Sequence, residues 1–413
     1  MVAGSMALSS VLLIHGGESV LADRALAEAL ALRGDFEKTV VDGGSLEIGR
    51  YAEAVAPSLF ADKRVLVIRD LQDVIMEVQE EIEAQFEHLD PNLHLIFLHK
   101  GGVKGKALLD AIKKIKPEVV VTYSIPTSGW QIAKICNLKK IPIVVRVIDI
   151  PHVLRETHFK PLVKWSERYV FGHADFVSTH NEALRQYCIG LGASPDRSSV
   201  IYPGIDMARF FPEPPRLDLQ VKVGIQPTDT VLLFMGTIFR FSGLIELLAE
   251  LAPTLQEDAS LKFLILGEGE DFIRLNELAK SLGLQRQVIM PGRIEYDLLA
   301  DYLRLGHVAL LPFRPEPVTH GALPGKILQY LACGLPTIAT PLDGLQSMIA
   351  PDQGVLYANG PQEMVKMAIQ LASNADQHSQ LSLRGVNLMN LHCNWQNQIQ
   401  TFKKMIIDLQ HAE

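Results

Sequence analysis

Short runs that are apolar at nearly every position alternate along the chain with longer stretches of helical periodicity. The runs that read as strands are Ser10–His15, Val65–Ile68, Leu93–His99, Val119–Tyr123, Ile143–Val147, Phe176–Thr179, Val200–Tyr202, Thr230–Met235, Lys262–Leu266, Gln287–Met290, Val308–Pro312 and Pro336–Thr340. Continuous rather than alternating apolarity is the mark of parallel strands covered on both faces. Ala22–Leu32, Asp73–Phe86, Leu244–Leu255 and Asp271–Leu282 read as helices between them. Such alternation predicts doubly wound α/β domains. Pro212-Glu-Pro-Pro-Arg216 resists helix formation and predicts a break between two of them.

The 413 residues suit two or three domains. With 48% hydrophobic and 21% charged residues the composition is globular, which excludes a disordered or collagen-like chain. Purely apolar runs such as Val11–Ile14 and Val231–Met235 are strand-sized, which argues against a membrane span. A net charge of -8 argues against nucleic-acid binding by bulk electrostatics. Cys136, Cys188, Cys333 and Cys393 are far apart and form no CxxC pair. A zinc site and a disulfide framework are therefore not expected, and a cytoplasmic location is. Met1–Met6 reads as an expression scar before a second start.

Charge is unevenly placed. Gln72–Asp90 carries Asp73, Glu77, Glu80, Glu81, Glu83, Glu87 and Asp90 with no Lys or Arg. Lys134 to Arg168 reverses this, with Lys134, Lys139, Lys140, Arg146, Arg155, Lys160, Lys164 and Arg168 against Asp149, Glu156 and Glu167. A basic face there suits an anionic lipid surface or a phosphorylated acceptor, and the bland alternative is a solvated surface.

Five motifs follow in order: Val200-Ile-Tyr-Pro-Gly-Ile-Asp206, Leu233-Phe-Met-Gly-Thr-Ile-Phe-Arg-Phe-Ser-Gly243, Leu264-Ile-Leu-Gly-Glu-Gly-Glu270, Pro291-Gly-Arg-Ile294 and the long run from His320 to Pro336. Gly236 ends a buried strand where backbone must approach a ligand, and a helix begins near Ser242–Gly243. Its start offers free N–H groups and positive potential to a pyrophosphate. Arg240 adds a guanidinium that clamps phosphate oxygens. Pro324-Gly325 opens a second helix from which Lys326 projects toward the same crevice, at the carboxyl ends of parallel strands.

In this order the motifs closely resemble the donor-binding half of a family 4 GT-B glycosyltransferase, from about Pro117 to Glu413. The resemblance implies two Rossmann-like parallel-sheet domains with a cleft between them. It also implies transfer of a sugar from a nucleotide-diphosphate donor, with anomeric retention and with neither metal nor cofactor. Donor contacts would come from Gly236, Thr237, Arg240, Ser242, Gly267, Arg293, His320, Gly325, Lys326 and Gln329. The family tends to show an Arg after the first glycine, a Lys before the later one, and two glutamates eight positions apart; here Thr237, Ser242, Gly321 and Gln329 stand there. Gln329 still offers donors and acceptors to ribose hydroxyls. On the acceptor side Asp149, after a buried strand, or His152 would orient or deprotonate the hydroxyl. The acceptor itself is open, with a membrane-associated one, peripheral at the inner face, suggested by the basic segment.

The first third reads differently. Ala56–Asp70, followed by Leu95–Asp110, closely resembles the amino-terminal domain of the DNA polymerase III delta subunit, which opens the sliding clamp. The resemblance implies that Leu59 and Phe60 are the apolar pair that enters the clamp's pocket, although burial in their own core is an equal alternative. Gly101-Gly-Val-Lys-Gly-Lys106 is one residue short of a phosphate loop, and Ala107 stands where Ser or Thr would hold magnesium, so no ATP hydrolysis is expected. The expected organisation is a chimera: 7–116 delta-like, 117–207 the rest of the first GT-B domain, 208–390 the donor-binding domain, and 391–413 a helix packing back on the first domain. A clamp-binding module and an inactive hybrid that binds nucleotide only are the competing readings.

Overall fold

The computed structural model describes residues 11–15, 19–31, 33–34, 36–56, 63–85, 90, 92–99, 119–123, 129–150 and 160–410. The chain forms two units. The first comprises Met1–His180, Leu184–Val200 and Thr401–Glu413, the second Asn181–Ala183 and Ile201–Gln400.

In the first unit eight parallel strands form one sheet in the order β2-β3-β4-β1-β5-β6-β7-β8. They are β1 (Val11–His15), β2 (Glu37–Asp42), β3 (Arg64–Arg69), β4 (Leu93–His99), β5 (Val120–Tyr123), β6 (Ile143–Val147), β7 (Phe176–Thr179) and β8 (Ser198–Val200). The inner strands are apolar and buried on both faces: Val65, Leu66, Val67 and Ile68 on β3, Leu95 and Ile96 on β4, Ile143 and Val144 on β6. Strand β1 joins the two halves, pairing Leu12 with Ile96 on one side and Ile14 with Val121 on the other. The segment resembling the delta subunit therefore shares one sheet with β5 to β8. The sheet is all-parallel and Rossmann-like, yet on the β2–β4 side its order departs from 3-2-1-4-5-6, because the chain leaves β1 for the far edge and walks back.

The second unit has the order β11-β10-β9-β12-β13-β14, again all parallel, which is the 3-2-1-4-5-6 order of the doubly wound fold. Its strands are β9 (Thr230–Met235), β10 (Leu261–Leu266), β11 (Val288–Gly292), β12 (Val308–Leu311), β13 (Thr337–Ala339) and β14 (Val355–Tyr357). Helix Leu244–Glu257 buries Leu244, Leu247, Leu248, Leu251 and Leu255 in the core that also holds Val231–Phe234. That heptad-like spacing turns one continuous stripe inward.

The proline-rich segment is not the boundary. The chain passes into the second unit at Ile201, because Ile205 and Phe210 already belong to that unit's core. Pro212 rides on the same unit beside Gly334. Strands β2 and β14 have no counterpart among the expected runs: β2 is a mostly exposed, polar edge and β14 has only three residues. Among the described residues no helix is long and apolar enough to cross a membrane.

Candidate functional site

The order of the second sheet reverses between β9 and β12, and it is at such a reversal that open α/β sheets bind ligands. The two strands pair only at Leu232–Val308 and Leu233–Ala309, whereas β9 stays with β10 as far as Met235 and Leu266. Beyond Leu233 the sheet is thus split at its carboxyl end. Into the split fits the helix Lys326–Ala332, held by Tyr330, whose buried hydroxyl accepts from the Met235 amide at 2.6 Å and donates to the Met235 carbonyl at 3.1 Å. These are the groups that a longer β12 would have paired. Lys326 lies one helical turn before Tyr330, on the same face.

That placement brings Lys326 over Gly236, the residue after β9, whose φ is +135°. A methyl at Gly236 would lie 2.7 Å from Lys326 Cε and closer still to Nζ. The ammonium sits 4.6 Å from the Phe234 ring centroid and 4.7 Å from that of Phe313. Aromatic faces attract a cation but replace its water poorly. Burial accordingly pushes the Lys326 ammonium down to about 7. A cation placed between two rings at the mouth of a split sheet is set up to receive an anion.

The turns around it are built from backbone contacts. Gly267, at φ +137°, lies so close to Gly236 that a methyl would fall 2.9 Å from the Gly236 carbonyl carbon and nearer still to its oxygen. The Ile238 amide donates to the Glu268 carbonyl at 2.9 Å. After the 3-10 turn Arg240–Ser242, Gly243 leads into helix Leu244–Glu257 without a side-chain cap. The first turn of that helix therefore offers N–H groups and positive potential. Phe241 packs edge-on to Phe313 at 5.5 Å, which ties this helix start to the ring under Lys326.

Gly236, Gly267, Gly325 and Lys326 thus converge, with Gly325 the residue just before the lysine helix. Thr237 and Arg240 are exposed on the same turn, and the Arg240 amide donates to Glu270 Oε1 at 2.8 Å. Ser242 is fully buried and its hydroxyl donates to the Phe239 carbonyl. It braces the turn instead of facing a ligand. Gln329 is half-buried on the lysine helix. His320 is exposed, 3.5 Å from Asp343. Arg293 stands apart, lining a separate cavity of about 850 Å³ along β11 with Lys222, Lys262 and Arg286. Sequence reasoning missed Tyr330, Phe234, Phe313, and the Arg314–Glu246 ion pair, which places an acid on the first turn of helix Leu244–Glu257 and a guanidinium against it. Phe234 and Tyr330 lie inside the quoted motifs, but nothing there sets them apart from core aromatics; the split between β9 and β12 is what brings them to Lys326.

In the first unit Asp149 follows β6 and is half-buried. Nearby, buried Arg146 donates to Ser178 Oγ at 2.9 Å and lies 5.5 Å from the Phe402 ring, in the terminal stretch that belongs to this unit. His152, Leu59, Phe60 and the loop 101–106 lie outside the described residues.

The model of the family "Glycosyl transferases group 1" matches residues 229–374, and that of the "Glycosyl transferase 4-like domain" matches residues 95–204. The chain is 22% identical over 310 residues to an uncharacterized glycosyltransferase, MJ1069, of Methanocaldococcus jannaschii, covering 71% of this chain and 75% of that one. It is 30% identical over 196 residues to the D-inositol 3-phosphate glycosyltransferase of Kineococcus radiotolerans, covering 45% of this chain and 44% of the relative, so under half of that protein is matched. Among solved structures, Anabaena Alr3699/HepE in complex with UDP superposes with a TM-score of 0.70 at 12% identity, covering 97% of this chain and 100% of that one. That likeness bears on fold. With a glycosyl transferase model matched in each unit and two Rossmann-like parallel sheets beneath them, the chain is a glycosyltransferase of the GT-B fold.

Proposed function

We propose that the enzyme transfers a sugar from a nucleotide-diphosphate donor to an acceptor hydroxyl with retention at the anomeric carbon, and that protein cations take the part a metal would play. The observation that carries this reading is the Lys326 ammonium held against Gly236 at the point where the second sheet splits. As the glycosidic bond breaks, negative charge grows on the departing diphosphate and positive charge on the sugar ring. Lys326, the start of helix Leu244–Glu257 and the exposed Arg240 guanidinium meet that growing negative charge with dipoles already oriented. Asp149, at the carboxyl end of β6, is assigned to orient the acceptor hydroxyl.

We further read residues 7–116 as a delta-like piece that completes the first sheet. The unusual strand order of β1–β4 supports a separate origin. The glycosyl transferase 4-like match begins at residue 95, inside β4, and so overlaps the last part of that piece. A clamp-binding role is not favoured, since glycosyl transferase models match both units.

A thermal-shift series with UDP, GDP and ADP tests the donor reading; the UDP held by HepE makes that nucleotide the first to try. At about 100 times its dissociation constant the right nucleotide stabilises the protein by about 2.7 kcal/mol. Arg240→Ala, at an exposed position, is expected to shrink that shift while leaving the melting temperature of the free protein in place. An undiminished shift removes Arg240 from the donor site.

A further inference from the structure

Helices Gly129–Lys139 and Lys160–His173 lie side by side on the first unit. Trp130 meets Trp165 edge-on at 5.6 Å, Trp165 continues to Tyr169 at 5.8 Å, and Tyr169 stacks on His173 at 4.0 Å. Positions 130, 134 and 138 fall on one stripe of the first helix, as do 162, 165 and 169 on the second. The outer surface of the pair departs from an ordinary solvated one in two respects. Leu138, Leu162 and Trp165 are 74%, 57% and 47% exposed. The exposed Lys, Arg, Asp and Glu side chains are all cationic: Lys134, Lys139, Lys160, Lys164 and Arg168, with Lys140 just beyond. The acid on these helices, Glu167, is buried and accepts the Tyr187 hydroxyl at 2.6 Å. A chain of net charge -8 thus gathers cations around exposed apolar side chains on one face.

We propose that this two-helix face docks onto an anionic lipid bilayer. The lysines and Arg168 would pair with headgroup phosphates, while Leu138, Leu162 and Trp165 enter the boundary between headgroup and acyl chain, where indole is favoured. The charge pattern selects this occupant. A symmetric contact with a second copy would set the same cations against each other, and a polar nucleic-acid backbone would leave the leucines and Trp165 without an apolar partner. This surface is independent of the donor chemistry.

The test is co-sedimentation of the 413-residue chain with vesicles of phosphatidylcholine alone or with one third phosphatidylglycerol. Binding to the anionic vesicles is expected to be at least about tenfold the stronger and to be released by molar salt. The triple variant Lys160→Glu, Lys164→Glu, Arg168→Glu should abolish it. The double variant Leu162→Ala, Trp165→Ala should weaken it by about tenfold, because buried apolar surface adds to the electrostatic attraction. All five positions are exposed, and unchanged melting temperatures and nucleotide shifts show that the fold is kept. Equal binding to both vesicles, binding to neither, or a triple variant that binds like the parent overturns the proposal. So does a dimer in sedimentation velocity that the triple variant disperses, which would give the face to a second copy.

Discussion

Replacing Lys326 with Met is expected to lower sugar transfer by about two to three orders of magnitude, the effect of removing a preorganised group that meets developing charge. The same change should leave the melting temperature as it is or raise it. Lys326 lies between Phe234 and Phe313, and exchanging an ill-solvated cation for an apolar side chain of similar length removes a desolvation cost. Opposite signs for activity and stability separate a donor-binding lysine from one that merely fills space, because Met would replace a filler with activity kept. The pH dependence adds a second signature. Lys326 titrates near 7 in the folded protein, against an ordinary value of 10.5. Between those values the unfolded chain binds the proton more tightly than the native one, so this group makes stability rise with pH from about 7 to about 10.5. Lys326→Met should flatten that rise. In the wild type, nucleotide diphosphate should bind with uptake of a proton above pH 7, because the phosphates favour the charged ammonium. Calorimetry in buffers of different ionisation enthalpy reads the proton directly. A variant with wild-type turnover would remove Lys326 from the mechanism.

Gly267→Ala is expected to cost about 3 kcal/mol or more, read as a lower urea midpoint at unchanged slope. Two costs add. The residue sits at φ +137°, a conformation that an L side chain enters only with strain. Its new methyl would also press on the carbonyl of Gly236, and that atom belongs to backbone fixed by the bond from the Gly236 amide to the Leu266 carbonyl at 2.8 Å. Overpacking against rigid backbone costs about 1–3 kcal/mol by itself. Gly283→Ala is the matched control: φ is also positive at +72°, but nothing lies within 4 Å of the added methyl. It should show the conformational cost alone. Equal losses at the two sites would mean that the close approach of Gly236 and Gly267 is not what holds these turns.

The buried strands were legible because parallel strands covered on both faces must be apolar throughout, as at Val231–Met235 and Phe263–Leu266. Polar or very short edges escaped for the same reason: Glu37–Asp42 faces water along most of its length. The glycines at 236 and 267 were legible as motif because turns in which backbone meets backbone at positive φ restrict residue type locally. Tyr330 was not. Its partner, Met235, is 95 residues away, and a tyrosine inside an apolar helix looks like any core aromatic. Ser242 reads as a ligand in the sequence because a hydroxyl near a helix start looks alike whether it faces solvent or, as here, the Phe239 carbonyl. Arg293 follows β11, two strands removed from β9 in the sheet order, a distance that motif order does not carry. Prolines mark a break by composition alone, whereas Phe210 just before them is wholly buried in the second unit and draws the boundary earlier.

The most direct measurement is a crystal structure of the enzyme with the nucleoside diphosphate that gives the largest thermal shift. The diphosphate is predicted to lie beside Gly236 and Thr237, facing the first turn of helix Leu244–Glu257, with Lys326 Nζ drawn from its aromatic pocket onto a phosphate oxygen. A nucleotide held instead along β11 beside Arg286 and Arg293, with Lys326 still between Phe234 and Phe313, would rule this donor site out.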